Sequence, residues 1–98
     1  MSSKPEKKLQ DQCLAYLKKK KIYAINMFGN GWSAKGAPDI IACINGRFVS
    51  FELKVGDNNL QDAQRIHRLR IKRGGGLHYA PYTFEEFKNI VEELLECQ

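Results

Sequence analysis

Asp39, Glu52 and Lys54 are the residues of this chain whose types and spacing could do chemistry together. Asp39 lies six residues before Asn45 and Glu52 six residues after Gly46, and Asn-Gly between two apolar runs is the strongest short-range signal for a two-residue β-hairpin. In a hairpin of that register Ile44 faces Arg47, Cys43 faces Phe48, Ile41 faces Ser50, and Asp39 faces Glu52. Carboxylates directly opposite on one face have Cβ atoms about 4.5–5.5 Å apart and repel unless something sits between them. Alternation along the second arm sends Ser50, Glu52 and Lys54 to that same face, and Val49, Phe51, Leu53 and Val55 to the other. An acid, an acid and an ammonium therefore converge. A divalent cation resolves the repulsion, because carboxylate oxygens and waters are what a hard ion such as Mg²⁺ or Mn²⁺ takes, with substrate phosphates completing its shell. Such an ion lowers the pKa of bound water and stabilises charge building at phosphorus, while a nearby ammonium orients the attacking water or neutralises that charge. This is phosphodiester hydrolysis chemistry. The alternative is a charge cluster at a sheet end in which Lys54 simply pairs with Glu52 or Asp39.

The elements that must position these residues are marked along the chain. Ser3-Lys4-Pro5-Glu6 is a capping-box pattern, and Leu9, Cys13, Tyr16 and Leu17 follow at helical spacing, which predicts a helix over 5–20. Lys18 to Lys21 close it with positive charge at the negative end of the helix dipole. Branched and aromatic residues predict a first strand over 22–28, ended by Gly29-Asn30-Gly31. The hairpin arms cover 39–44 and 47–55, and Gly56-Asp57-Asn58-Asn59 breaks the second arm. An amphipathic helix over about 60–73 stops at Gly74-Gly75-Gly76. A short strand over 77–80 follows, and Thr83 caps a last helix with a Phe84, Phe87, Ile90, Val91, Leu94 and Leu95 stripe. The order is αβββαβα: an α/β domain with a central mixed four-stranded sheet flanked by helices.

Ninety-eight residues suffice for one core, so a single domain over 1–98 is expected. With 43% hydrophobic and 28% charged residues, intrinsic disorder is excluded. The longest apolar run, 40–44, is far short of the roughly 20 residues of a membrane helix, and no apolar stretch follows the N-terminal charge. A cytoplasmic, non-membrane protein is expected. The net charge of +5 is uneven: residues 82–98 hold five glutamates against Lys88 alone, a net −4, which leaves +9 on residues 1–81. That excess fits either simple solubility or a polyanionic partner. Cys13, Cys43 and Cys97 are odd in number, lack CxxC spacing and fall on apolar positions, so they are expected as buried free thiols in a reducing compartment, with no zinc and no disulfide.

Gly36-Ala37-Pro38-Asp39, Phe51-Glu52-Leu53-Lys54 and Leu60-Gln61-Asp62-Ala63-Gln64, in this order and on these elements, resemble the PD-(D/E)XK nuclease superfamily, specifically the small stand-alone VRR-NUC domains often carried by phages. The similarity covers nearly the whole chain, and the αβββαβα string looks like the restriction-endonuclease-like core. The resemblance implies Mg²⁺- or Mn²⁺-dependent endonuclease activity on DNA, with Asp39 and Glu52 as metal ligands, Lys54 as the catalytic lysine and the backbone carbonyl of Leu53 as a further ligand. It also implies roles for an acid of the first helix and a glutamine of the helix after the third strand, which map to Glu6 and Gln64. Glu6 has a second reading as the capping-box acid, and Gln64 as an ordinary exposed helical glutamine. Stand-alone relatives resemble Holliday-junction resolvases, which implies a homodimer and a preference for junctions or other branched DNA. No organic cofactor is implied.

Arg65, Arg68, Arg70, Lys72 and Arg73 are candidates for phosphate contact, against solvation or pairing with Glu92 or Glu93. Lys35 and the loop through Trp32 lie just before Asp39 and are candidates to approach the DNA backbone or stack on a base, with Trp32 equally readable as a partly buried packing residue. His67 and His78 lack the spacing of a metal pair and read as core or surface residues. Two competing classes stand beside the nuclease: a non-catalytic nucleic-acid-binding module of the same fold, and a charged interaction protein with no nucleic-acid partner.

Overall fold

The computed structural model describes residues 5–27, 36–54 and 62–96, apart from the side chains of residues 5, 6 and 62. Along them run α1 (Pro5–Lys19), β1 (Tyr23–Asn26), β2 (Ile40–Ile44), β3 (Arg47–Phe51), α2 (Asp62–Arg73), β4 (Leu77–Tyr79) and α3 (Phe84–Glu96). This is the αβββαβα order expected. The strands form one mixed sheet in the order β1-β2-β3-β4. The first three are antiparallel neighbours, and β4 joins β3 in parallel, as a strand returning through a helical crossover does.

The hairpin forms as its turn residues dictate. Asn45 and Gly46 both adopt positive φ, 54° and 79°, the requirement of a type I′ turn whose twist matches that of the strands. The ladder then pairs Ile44 with Arg47, Cys43 with Phe48 and Ile41 with Ser50, the register read from the sequence. Asn45 also donates its side-chain amide to the Leu94 carbonyl at 3.1 Å, closing the end of α3.

Alternation in β2 and β3 sends Ile40, Ala42, Ile44, Val49 and Phe51 to one face, where α1 contributes Leu9, Cys13 and Leu17 and α3 contributes Phe87, Val91 and Leu94. Phe51 and Phe87 anchor this core with ring centroids 4.6 Å apart, the tilted contact that aromatic quadrupoles favour. Thr83 caps α3 as expected, accepting the Glu86 amide on its Oγ1 at 3.1 Å. α2 lies on the opposite face of the sheet, against β4, and adds nothing to the core of buried residues. No helix among the described residues is long and apolar enough to cross a membrane.

Three expectations are corrected. The predicted third strand over 47–55 leaves the β2 ladder at Phe51, because β2 ends at Ile40. Its chain continues beside the end of β4 and the segment after it, with Glu52 N–H donating to the Tyr79 carbonyl at 2.9 Å and Lys54 N–H to that of Pro81 at 3.0 Å. The first strand closes at Asn26, short of 28. Cys43, expected to be buried, is exposed, since α2 does not extend over β2. Cys13 is the buried thiol, and burial pushes its pKa up to about 12, leaving it an inert packing group. Cys97 and the Ser3 cap lie outside the described residues.

Candidate functional site

Strand register arranges the outer face of the sheet in rows. Nearest the hairpin turn is Tyr23–Cys43–Phe48, and next to it Ile25–Ile41–Ser50–His78. One residue beyond the ladder lie Asp39 and Glu52, at the end of the sheet away from the turn. The register continues so that positions 39 and 52 stand opposite each other, as the sequence predicts.

Asp39 is fixed from several directions by main chain. Its N–H donates to the Phe51 carbonyl at 2.9 Å and its carbonyl accepts the Met27 N–H at 2.8 Å. Its carboxylate Oδ2 accepts the Leu53 N–H at 2.9 Å, so an acid side chain takes the place of a ladder bond where the strands part. The buried ring of Pro38 immediately before it fixes the approach of the chain. Glu52 and Lys54, both only 6% exposed, lie on the α2 side of β3, together with the fully buried Ser50. Charged side chains this buried are rare unless partnered. Glu52 is partnered from α2: Gln64 Nε2 donates to Glu52 Oε2 at 2.6 Å, a charge-assisted bond that orients the carboxylate.

Gly36 makes that bond geometrically achievable. It has φ of +83°, and a Cβ there would lie 2.6 Å from both the carbonyl carbon and the Cβ of Ala63 and 2.8 Å from the Gln64 nitrogen. Only a residue without a side chain lets the segment leading to Asp39 lie directly on the first turns of α2. The Gly-x-Pro-Asp run and the downstream glutamine are thus two sides of one contact.

One bond thus joins Asp39 to the Leu53 peptide and another joins Glu52 to Gln64, at the same end of the sheet. Position 6 is on α1 one turn before Gln10, whose buried side chain donates to Asn26 Oδ1 at 2.6 Å at the end of β1. The Glu6 side chain and all of Lys35 lie outside the described residues, as does Trp32. Arg65, Arg70, Lys72 and Arg73 are exposed along α2, and Arg68 is half-buried. Pairing of this helix with Glu92 or Glu93 does not occur, because α3 is on the other side of the sheet; Glu92 accepts the Tyr16 hydroxyl at 3.0 Å instead.

The donors that Asp39 and Glu52 bring to this end of the sheet are carboxylate oxygens. That chemistry fits a hard cation, which needs only one or two carboxylates besides water and substrate oxygens. Among the described residues no three His, Cys, Asp or Glu side chains gather into a self-sufficient metal cage.

One pair escaped the sequence reading. Ser50 Oγ lies 2.7 Å from His78 Nδ1 and 3.2 Å from the Leu77 carbonyl. Burial, with the charges of Arg68, Lys72 and Lys54, pushes the His78 pKa down to about 4, so the ring is neutral at pH 7. Strand alternation assigns Ser50 to this face, but the parallel register that sets His78 beside it has no local sequence signal.

A mixed sheet with α1 and α3 on one face and α2 on the other is a PD-(D/E)XK nuclease-like fold. A solved structure described as a VRR_NUC domain superposes with a TM-score of 0.74 over 92% of this chain and 97% of that one, at 17% sequence identity. The fold is VRR-NUC-like. No protein-family model matches the chain, and no curated protein matches it either.

Proposed function

We propose that this protein is a divalent-metal-dependent DNA endonuclease. The observation that carries the reading is the strand-end corner, where Asp39 accepts the Leu53 N–H and Glu52 accepts the Gln64 amide, with the buried Lys54 two residues along the chain from Glu52. Asp39, Glu52 and the Leu53 carbonyl would hold Mg²⁺ or Mn²⁺, with Glu6 as a further ligand from α1. When bound, the ion supplies Lewis-acid stabilisation of the phosphorane and a more acidic water. Gln64 fixes the Glu52 carboxylate and acts as a positioning residue. Lys54, on the same face as Glu52, orients the attacking water or neutralises charge at the phosphate. Arg65, Arg68 and Arg73 neutralise flanking phosphates, with Lys35 adding to them ahead of Asp39. A homodimer, which gives two such corners for two strands, and a preference for junctions or branched DNA belong to the same reading, as does an intracellular, phage-type setting.

The test is cleavage of plasmid, linear and four-way-junction DNA with Mg²⁺, with Mn²⁺ and with chelator, by the protein and by Lys54→Met, which keeps the apolar stem. We expect metal-dependent cutting that falls by about 10²-fold or more in the variant, with DNA binding retained. Binding without cutting under every metal would instead mark a non-catalytic module.

A further inference from the structure

The outer face of the sheet does not end at the Asp39–Glu52 corner. Two residues back along β3 from Ser50 is Phe48, an aromatic ring left 48% exposed. It lines an open groove of about 640 Å³ with His67, Arg70, Ile71, Gly74 and Gly76, within the ~300–1,000 Å³ span of small-ligand sites. Gly76 gives the ring its seat: a Cβ there would lie 3.0 Å from both Phe48 Cδ1 and Ile71 Cγ2. The groove thus has an aromatic wall, an aliphatic wall, a guanidinium and an imidazole. At about 3.3 Å per residue, Phe48 is on the order of 13 Å from Glu52 along the strand, a few nucleotides' reach. The basic side of α2 borders it throughout.

We infer that this groove is a subsite for an unpaired nucleobase of the DNA strand being cut, stacked on Phe48 with Arg70 at its phosphate or base edge. The inference rests on the nuclease reading and adds a substrate requirement to it: a single-stranded segment a few nucleotides from the scissile bond. Exposed aromatics beside cations are how proteins hold unstacked bases, since every base offers a π face. A base within a duplex has no face free to stack, so the groove discriminates by pairing rather than by sequence. Charge argues against a second copy as the occupant. A two-fold contact through this patch would set two ridges of Arg70, Lys72 and Arg73 beside each other.

The experiment measures binding, in chelator so that no cutting intervenes, to a short single strand, a blunt duplex of the same sequence and a duplex with a single-stranded tail, the tail carrying 2-aminopurine. Phe48→Ala and Phe48→Leu should weaken tail and single-strand binding about tenfold or more while changing blunt-duplex binding by less than about twofold. Phe48→Tyr should restore it, and 2-aminopurine should be quenched by the protein but not by Phe48→Leu. Equal affinity of all variants for the tail, or an equal loss on all three DNAs, overturns the subsite. So does a Phe48 variant that only changes sedimentation from dimer to monomer, which would make the occupant a second copy. If those results accompany normal metal-dependent cutting, the subsite alone falls. If the unaltered protein neither binds nor cuts any of the three, the nuclease reading falls with it.

Discussion

His78 shows how a residue's neighbours decide its chemistry. It faces Arg68, Lys72 and Lys54 and hydrogen-bonds Ser50, so the imidazolium form is disfavoured by burial and then by like charge. With the folded pKa at about 4 and the ordinary value at 6.5, the unfolded chain takes up a proton between those values that the folded chain refuses. Stability from this group is therefore complete above pH 6.5 and is lost as pH falls toward 4. His78→Asn keeps a polar atom at the Nδ1 position and does not titrate, so its thermal midpoint should fall less steeply than that of the unaltered protein over this window, by on the order of 1–2 kcal/mol in stability. Parallel profiles would show that His78 charges readily in the fold.

At the scale of elements, the candidate site depends on α2 being seated on the segment before β2. Gly36→Ala would force an L residue to φ of +83° and drive its Cβ into Ala63 and Gln64 backbone. The strain alone costs roughly 1–3 kcal/mol, and relief by moving α2 would pull Gln64 from Glu52. A lowered thermal midpoint together with weakened cutting is expected, read by calorimetry beside the cleavage assay. An unchanged midpoint would mean that the contact yields without cost. Helix endings follow the same steric logic with different residues. α2 closes through Gly75 at φ of +94°, and α1 through Lys21 at +61°, each followed by the long backbone bond of a Schellman closure, Gly76 N–H to Ile71 and Ile22 N–H to Leu17. Glycine adopts that conformation freely; Lys21 does so at a cost that the packing of α1 offsets.

For the whole molecule, the basic side chains of α2 border the outer face with the Asp39–Glu52 corner, while the glutamates of α3 share the other side of the sheet with the lysines of α1. If Arg65, Arg68, Arg70, Lys72 and Arg73 each meet a phosphate, the log of duplex affinity should fall with log salt at a slope of about −4 to −5, and Arg73→Gln should reduce that slope by about one. A flat titration would assign these side chains to solvation.

Within the sequence itself, Asn45-Gly46 and period-two alternation determined the hairpin and the register that sets positions 39 and 52 opposite each other. These are local rules: a turn that admits only positive φ and a pleat that admits only one alternation. The helical stripes likewise determined which faces of α1 and α3 make the core. Only the tertiary structure decided what depends on contacts between distant segments. It joined Gly36 to Ala63 and Gln64 to Glu52, set His78 beside Ser50 through a parallel register that no turn encodes, and left Cys43 and Phe48 uncovered. Their exposure is set by how far α2 reaches over the sheet, a property of helix placement that the apolar character of either residue cannot reveal.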